Sequence, residues 1–253
     1  MLAPVVITLV STQIGTAVGL LLVAVVLVGG GAWFILSPEV GRVRIPRSRS
    51  ALGKVVLKPP VLLATIIGFL LIGACSAVEV GVVATFEHGS LAAGLVLAVF
   101  AVGSLAGGLS FGHIPIGPWA MARRLTIVTV GLALTMFSLN EFWLGGTLIV
   151  AGIGVAPALA VLFAITTASV KFSETAEAFG WAGTGQLIGA AAGSAVAGFL
   201  VDATDPRGAY LAATLFAAAG LVVSIVFVRS FPDLRHRDAS PHPDTEPLAV
   251  TPS

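Results

Sequence analysis

Glu79 is the only carboxylate deep inside any of the long apolar runs of this chain, about two turns before the end of the run Val61 to Phe86. A charge at such depth costs at least about 3 kcal/mol in hydrocarbon. The side chain must therefore face a cavity, find a partner or take up a proton. Two roles fit it. A protonatable group in that position can couple proton movement to another process, or contact a bound molecule. A glutamate near an interface can equally snorkel or hydrogen-bond to a neighbouring helix.

Trp181, Thr184 and Gln186 lie in a later apolar run, Ala178 to Val201. They can hydrogen-bond a bound molecule, or hold helices together. Thr166 and Thr167 are expected to bond back to their own helical turn. The string Gly183-Thr184-Gly185-Gln186 has the wrong spacing to Gly189 for a dinucleotide fingerprint, and no strand precedes it. The pairs Gly103/Gly107 and Gly189/Gly193 form small-xxx-small faces that let helix backbones approach closely, and such faces can slide during gating. The four histidines, His88, His113, His236 and His242, fall on separate loops and the tail, so no metal spacing emerges. No Ser-His-Asp or paired-carboxylate arrangement can be assembled either. An enzyme is not expected, nor a cofactor. Cys75 is the single cysteine and cannot form an intramolecular disulfide.

The elements that must carry these residues follow from composition. The 253 residues are 57% hydrophobic and 10% charged, against about 25% charged in a soluble domain. Such a chain cannot coat a globule with charge. The charge sits in short segments between apolar runs of roughly 20 residues, the length that crosses a bilayer core of about 30 Å. The expected spans are Ala17–Leu36, Val61–Phe86, Leu91–Phe111, Leu125–Leu139, Leu144–Thr167, Ala178–Val201 and Tyr210–Val228, after an apolar stub, Met1–Val10. A membrane β-barrel is excluded, because its strands alternate apolar and polar residues.

Twelve of the 13 Lys and Arg residues fall on alternate connections; Arg207 is the exception. The positive-inside rule then makes the connections with Arg42 to Lys58, Arg123 and Arg124, Lys171, and the tail cytoplasmic. Arg123 and Arg124 are expected in a cytoplasmic loop, and the C-terminus in the cytoplasm. The basic connection 37–60 serves as a topology determinant touching anionic lipid. It lacks interleaved aromatics, so nucleic acid is not an expected partner. The tail 230–253, rich in Pro, Asp, Ser and His, reads as disordered.

The last six spans divide into two triples, Val61–Leu139 and Leu144–Val228. The stretches Glu79-Val80-Gly81, Ala92-Ala93-Gly94 and Gly103-Ser104-Leu105-Ala106-Gly107-Gly108 resemble the seventh and eighth helices of bacterial major facilitator superfamily (MFS) transporters. Glu174 to Trp181, leading into Gly189 to Gly193 and Ala197 to Asp202, resembles their loop and eleventh helix. The resemblance implies an all-α polytopic bundle: an MFS-like C-terminal six-helix half over 61–229, preceded by one full and one partial helix in 1–36. By this alignment the chain looks like a C-terminal portion, truncated at the N-terminus. The loop from Gly112 keeps Arg123-Arg124 but lacks the aspartate that often precedes such arginines in the family.

The function so implied is transport of a small molecule by alternating access in a multi-pass plasma-membrane protein, with proton-coupled efflux as the family default. Mostly apolar cavity positions point to a hydrophobic or amphiphilic substrate. Protons would be the coupling ion, and a separate N-terminal half a partner beside the lipid bilayer. The alternative is a non-transporting membrane protein, an assembly subunit or a defective remnant.

Overall fold

The computed structural model describes residues 16–37, 53–86, 90–236 and 239–243. The stub Met1–Val10, the arginines from Arg42 to Arg49, His88 and the last ten residues lie outside the described residues. Seven long helices carry the structure: α1 (Thr16–Leu36), α2 (Pro59–Thr85), α3 (Leu91–Phe111), α4 (Ala120–Thr135), α5 (Glu141–Ala168), α6 (Thr175–Ala203) and α7 (Arg207–Val226). Short 3₁₀ turns cover Phe172–Glu174 and Val228–Ser230. The described residues hold no strand, only an isolated bridge between Lys171 and His242. The fold is an all-α bundle.

Local chemistry sets the helix starts. Pro59 and Pro60 occupy the first turn of α2, where a missing N–H costs nothing. The Ser90 hydroxyl accepts from the Ala93 N–H at 3.3 Å to open α3, and the Asn140 side chain accepts from the Phe142 N–H at 2.9 Å to open α5. The Asp205 carboxylate accepts from the Arg207 N–H at 2.8 Å. It thereby starts α7 three residues before the expected Tyr210.

The largest departure from expectation is α4. It begins at Ala120 rather than Leu125 and ends at Thr135, so Arg123 and Arg124 lie in its first turns and not in a loop. Pro115, Gly117 and Pro118 end the preceding connection, and Ala-Met-Ala-Arg-Arg is good helix-forming sequence. The Arg124 guanidinium donates to the Ala120 carbonyl of its own helix at 3.0 Å. With 16 residues α4 spans about 24 Å. Six of the seven long helices, not all seven, are long and apolar enough to cross a membrane.

Many helix hydroxyls bond back to their own helix, as suits a hydrocarbon setting. Thr65, Thr126, Thr129, Thr166, Thr167, Thr214 and Ser224 each donate to the carbonyl four residues back.

The contacts reveal a two-fold plan. Helix α2 packs on α6 and α7, while α5 packs on α3 and α4; α4 meets α7, and α2 meets α5. Exchanging the triple α2–α3–α4 with α5–α6–α7 maps each of these contacts onto another. Only the α6–α7 contact lacks a strong counterpart. The first helix of each triple is the more buried core element, and α3 and α6 present a single narrow stripe inward. Helix α1 buries almost none of its surface.

Candidate functional site

The two seams that matter are α2–α6 and α3–α5. In the first, Gly185, Gly189 and Gly193 lie against the backbone of Thr65, Phe69 and Gly73. In the second, Gly103 and Gly107 lie against the backbone of Ile149 and Ile153. A Cβ at Gly103 would come within 2.5 Å of the Ile149 carbonyl, and one at Gly107, Gly189 or Gly193 would overlap a carbonyl outright. Both seams join parallel helices with the same four-residue step, so they are equivalents under the exchange of triples.

Pro157 lies inside α5, and its missing N–H leaves the Ile153 carbonyl without a helical donor. That carbonyl faces Gly107. The absence of a side chain at Gly107 lets the α3 backbone approach that carbonyl closely.

One end of the bundle carries Lys54, Lys58, Arg123, Arg124, Lys171, Arg229 and Arg235, and is here called the basic end; the other is the far end. At the far end α3 and α5 diverge. They leave a groove of about 510 Å³ lined by Ala92, Leu95, Val96, Val99, Glu141, Phe142 and Gly145. Glu141 is its one carboxylate. Carrying the four-residue step back along the other seam gives the equivalent positions at the basic end: Val61, Leu62, Thr65, Ala178, Trp181, Ala182 and Gly185. There the helices meet on their inner side, while Leu62 and Trp181 stay exposed at the edge. Gly185 sits on Thr65, with a Cβ position 2.6 Å from the threonine methyl. Val61 and Ala178 are buried with Val55 and Val170.

Polar bonds lock this closed end. Lys58 Nζ donates to Glu174 Oε2 at 2.6 Å, and the Lys171 N–H donates to the same oxygen at 3.0 Å. The Gly53 N–H donates to Glu177 Oε1 at 2.7 Å. Gly53 has φ +90°, a backbone state open to glycine at little cost. These groups tie the segment before α2 to the turn before α6. Nothing in the sequence announces the Lys58–Glu174 and Gly53–Glu177 pairings, because more than 100 residues separate each pair.

The sequence-predicted residues do not converge. Glu79 is exposed on α2, one turn before the exposed Val83. Trp181 and Thr184 are exposed on α6, and the Thr184 hydroxyl donates to the Gly180 carbonyl at 2.9 Å. Gln186 turns the other way, into the α2–α6 seam. Its Cγ lies 3.2 Å from a Cβ position at Gly68, and its buried Nε2 has no hydrogen-bond partner. Because Gln186 lies level with Gly68, Glu79 stands roughly three turns, about 16 Å, further along the bundle. Gly103, Gly107, Gly189 and Gly193 lie in the two seams as described. Among the described residues no three metal-ligating side chains cluster.

The family model of the Major Facilitator Superfamily matches residues 115–251, more than half of the chain. Among curated proteins none matches.

Proposed function

The chain belongs to the Major Facilitator Superfamily, a family of multi-pass membrane proteins that move small molecules, and on that footing we propose that it works by alternating access. The observation that carries this reading is the unequal state of two equivalent grooves. The groove between α3 and α5 is open at the far end, while its counterpart between α2 and α6 is shut at the basic end. In an inverted-repeat transporter the two arrangements are the ones that exchange. The substrate passes at mid-depth between this bundle and a second six-helix body. This reading puts the exposed residues Glu79, Trp181 and Thr184 on that side.

In this reading the basic end is cytoplasmic, the membrane is the plasma membrane, and the cargo is hydrophobic or amphiphilic. Glu79 exchanges a proton as the grooves exchange, which makes the process proton-coupled efflux. The glycine seams are the surfaces along which α3 and α6 slide.

Two measurements test it. In a Cys75→Ser background, cysteine pairs at Ala92/Gly145 and at Leu62/Trp181 report on the two grooves. Cross-linking in membrane vesicles should rise at the first pair as it falls at the second when a proton gradient is imposed. Invariant cross-linking at both would end the alternating-access reading. Glu79→Gln should abolish the response to the gradient while leaving both pairs reactive; an unchanged response removes Glu79 from coupling.

A further inference from the structure

A second cavity lies at the basic end, apart from both grooves. It is a cleft of about 610 Å³ lined by Gly117, Pro118, Trp119, Arg123 and Arg235. Two pieces of chain far apart in sequence build it: the start of α4 with the connection before it, and the segment after α7. That segment is anchored. Phe231 and Leu234 are buried, and the Leu234 N–H donates to the Ile116 carbonyl at 2.9 Å.

The anchoring brings Arg235 against Gly117, where its Nε would be 3.3 Å from an added Cβ. Asp233 braces one edge of the guanidinium. Nε donates to its two oxygens at 2.9 and 3.0 Å, and Nη2 donates at 2.5 Å. Nη1 has no hydrogen-bond partner among the described residues, so that corner of the fork stays open. The Arg123 side chain likewise has no partner there. Arg124, next to it, is only 4% exposed, with no carboxylate partner among the described residues and its Nε unpaired. Its guanidinium carbon stands 5.9 Å from the Phe111 ring centroid. Among the described residues, two guanidinium groups line the cleft, with the buried Arg124 next in sequence, and Asp233 is the carboxylate paired to Arg235. Trp119, 53% exposed, supplies an aromatic wall of the kind found at headgroup level.

We propose that this cleft binds the phosphate of an anionic phospholipid headgroup. Arg123 and the open corner of Arg235 form the fork, matching phosphate oxygens as guanidinium groups do. The indole of Trp119 lies along the glycerol and first methylenes. A free phosphate presents the same oxygens. The exposed indole beside Pro118 favours a ligand that continues into hydrocarbon. The assignment rests on the basic end lying at the membrane surface and is independent of transport.

The test is native mass spectrometry of the full chain with phosphatidylglycerol, phosphatidylcholine and inorganic phosphate. Phosphatidylglycerol should be retained at least about tenfold more strongly than phosphatidylcholine. Arg123→Gln and Arg235→Gln should each weaken it about fivefold, the effect of one basic group at a lipid surface. Arg229→Gln, which removes an equal charge outside the cleft, should leave binding unchanged. Equal losses for Arg229→Gln would replace the site with diffuse attraction, and equally tight binding of inorganic phosphate would overturn the lipid assignment. Photo-crosslinking of the unsubstituted chain with a diazirine phosphatidylglycerol needs no variant. Labelling within 117–123 and 231–236 supports the cleft, and labelling elsewhere only refutes it.

Discussion

Glu174 is 7% exposed and accepts hydrogen bonds from both Lys58 and the Lys171 backbone. A buried carboxylate that loses its ammonium partner keeps the desolvation cost without the attraction. Lys58→Ala should therefore destabilise the chain by about 1–3 kcal/mol, seen as a lower thermal midpoint in detergent. Lys58→Arg should restore most of it. An unchanged midpoint for Lys58→Ala would mean that the pair contributes nothing. Asp233 behaves differently because it lies at the surface. The Arg235 guanidinium holds its carboxyl at about 2, below the ordinary value of 3.8. A folded-state value that is depressed means stabilisation present above about pH 3.8 and lost as pH falls through about 2. The Asp233–Arg235 brace should thus persist at pH 4 and 3 and fail near 2. An NMR titration of the Asp233 carboxyl with its midpoint near 3.8 would disprove the brace.

The seams between helices are where glycine has most to do. Gly107→Ala and Gly193→Ala place a methyl where a facing carbonyl already sits, so the helices must separate. Overpacking of this kind costs typically about 1–3 kcal/mol. Gly146 and Gly198 have nothing within 4 Å of an added Cβ. Alanine there should be neutral or slightly stabilising, since it restricts the unfolded chain. Thermal midpoints of the four variants check this, and equal effects at seam and open positions would contradict it. Much of this level could be read beforehand. Hydropathy placed six of the helices within a few residues, and the four-residue spacing of Gly103/Gly107 and Gly189/Gly193 marked close approach. The start of α4 could not be read so well. A pair of arginines looks like a loop until the carbonyl of Ala120 is seen to take one of them. Gln186 was legible as polar but not as inward-facing, because the orientation of a helix depends on its partners.

At the scale of the whole molecule, the alternation of Lys and Arg along the chain exposed the two triples, because connection charge follows topology directly. It could not expose what joins them at the basic end, since the joining groups are mostly backbone. The tail 230–253 reads as disordered by composition. The described part of it instead crosses from one triple to the other. Leu234 bonds to Ile116 in the connection between α3 and α4, and His242 exchanges backbone hydrogen bonds with Val170 and Phe172 between α5 and α6. Two apolar residues, Phe231 and Leu234, and a few backbone bonds dock these described residues onto a ready-made surface, which composition does not register. This crossing ties the triples together where the groove between α2 and α6 is shut. A chain ending at Ser230 gives up the burial of Phe231 and Leu234, and should lose about 2–4 kcal/mol of stability. It should also cross-link more slowly at the Leu62/Trp181 pair, because the basic end would open more often. If the shortened chain is less stable but cross-links at the same rate, the tail only covers apolar surface and has no part in holding the groove shut.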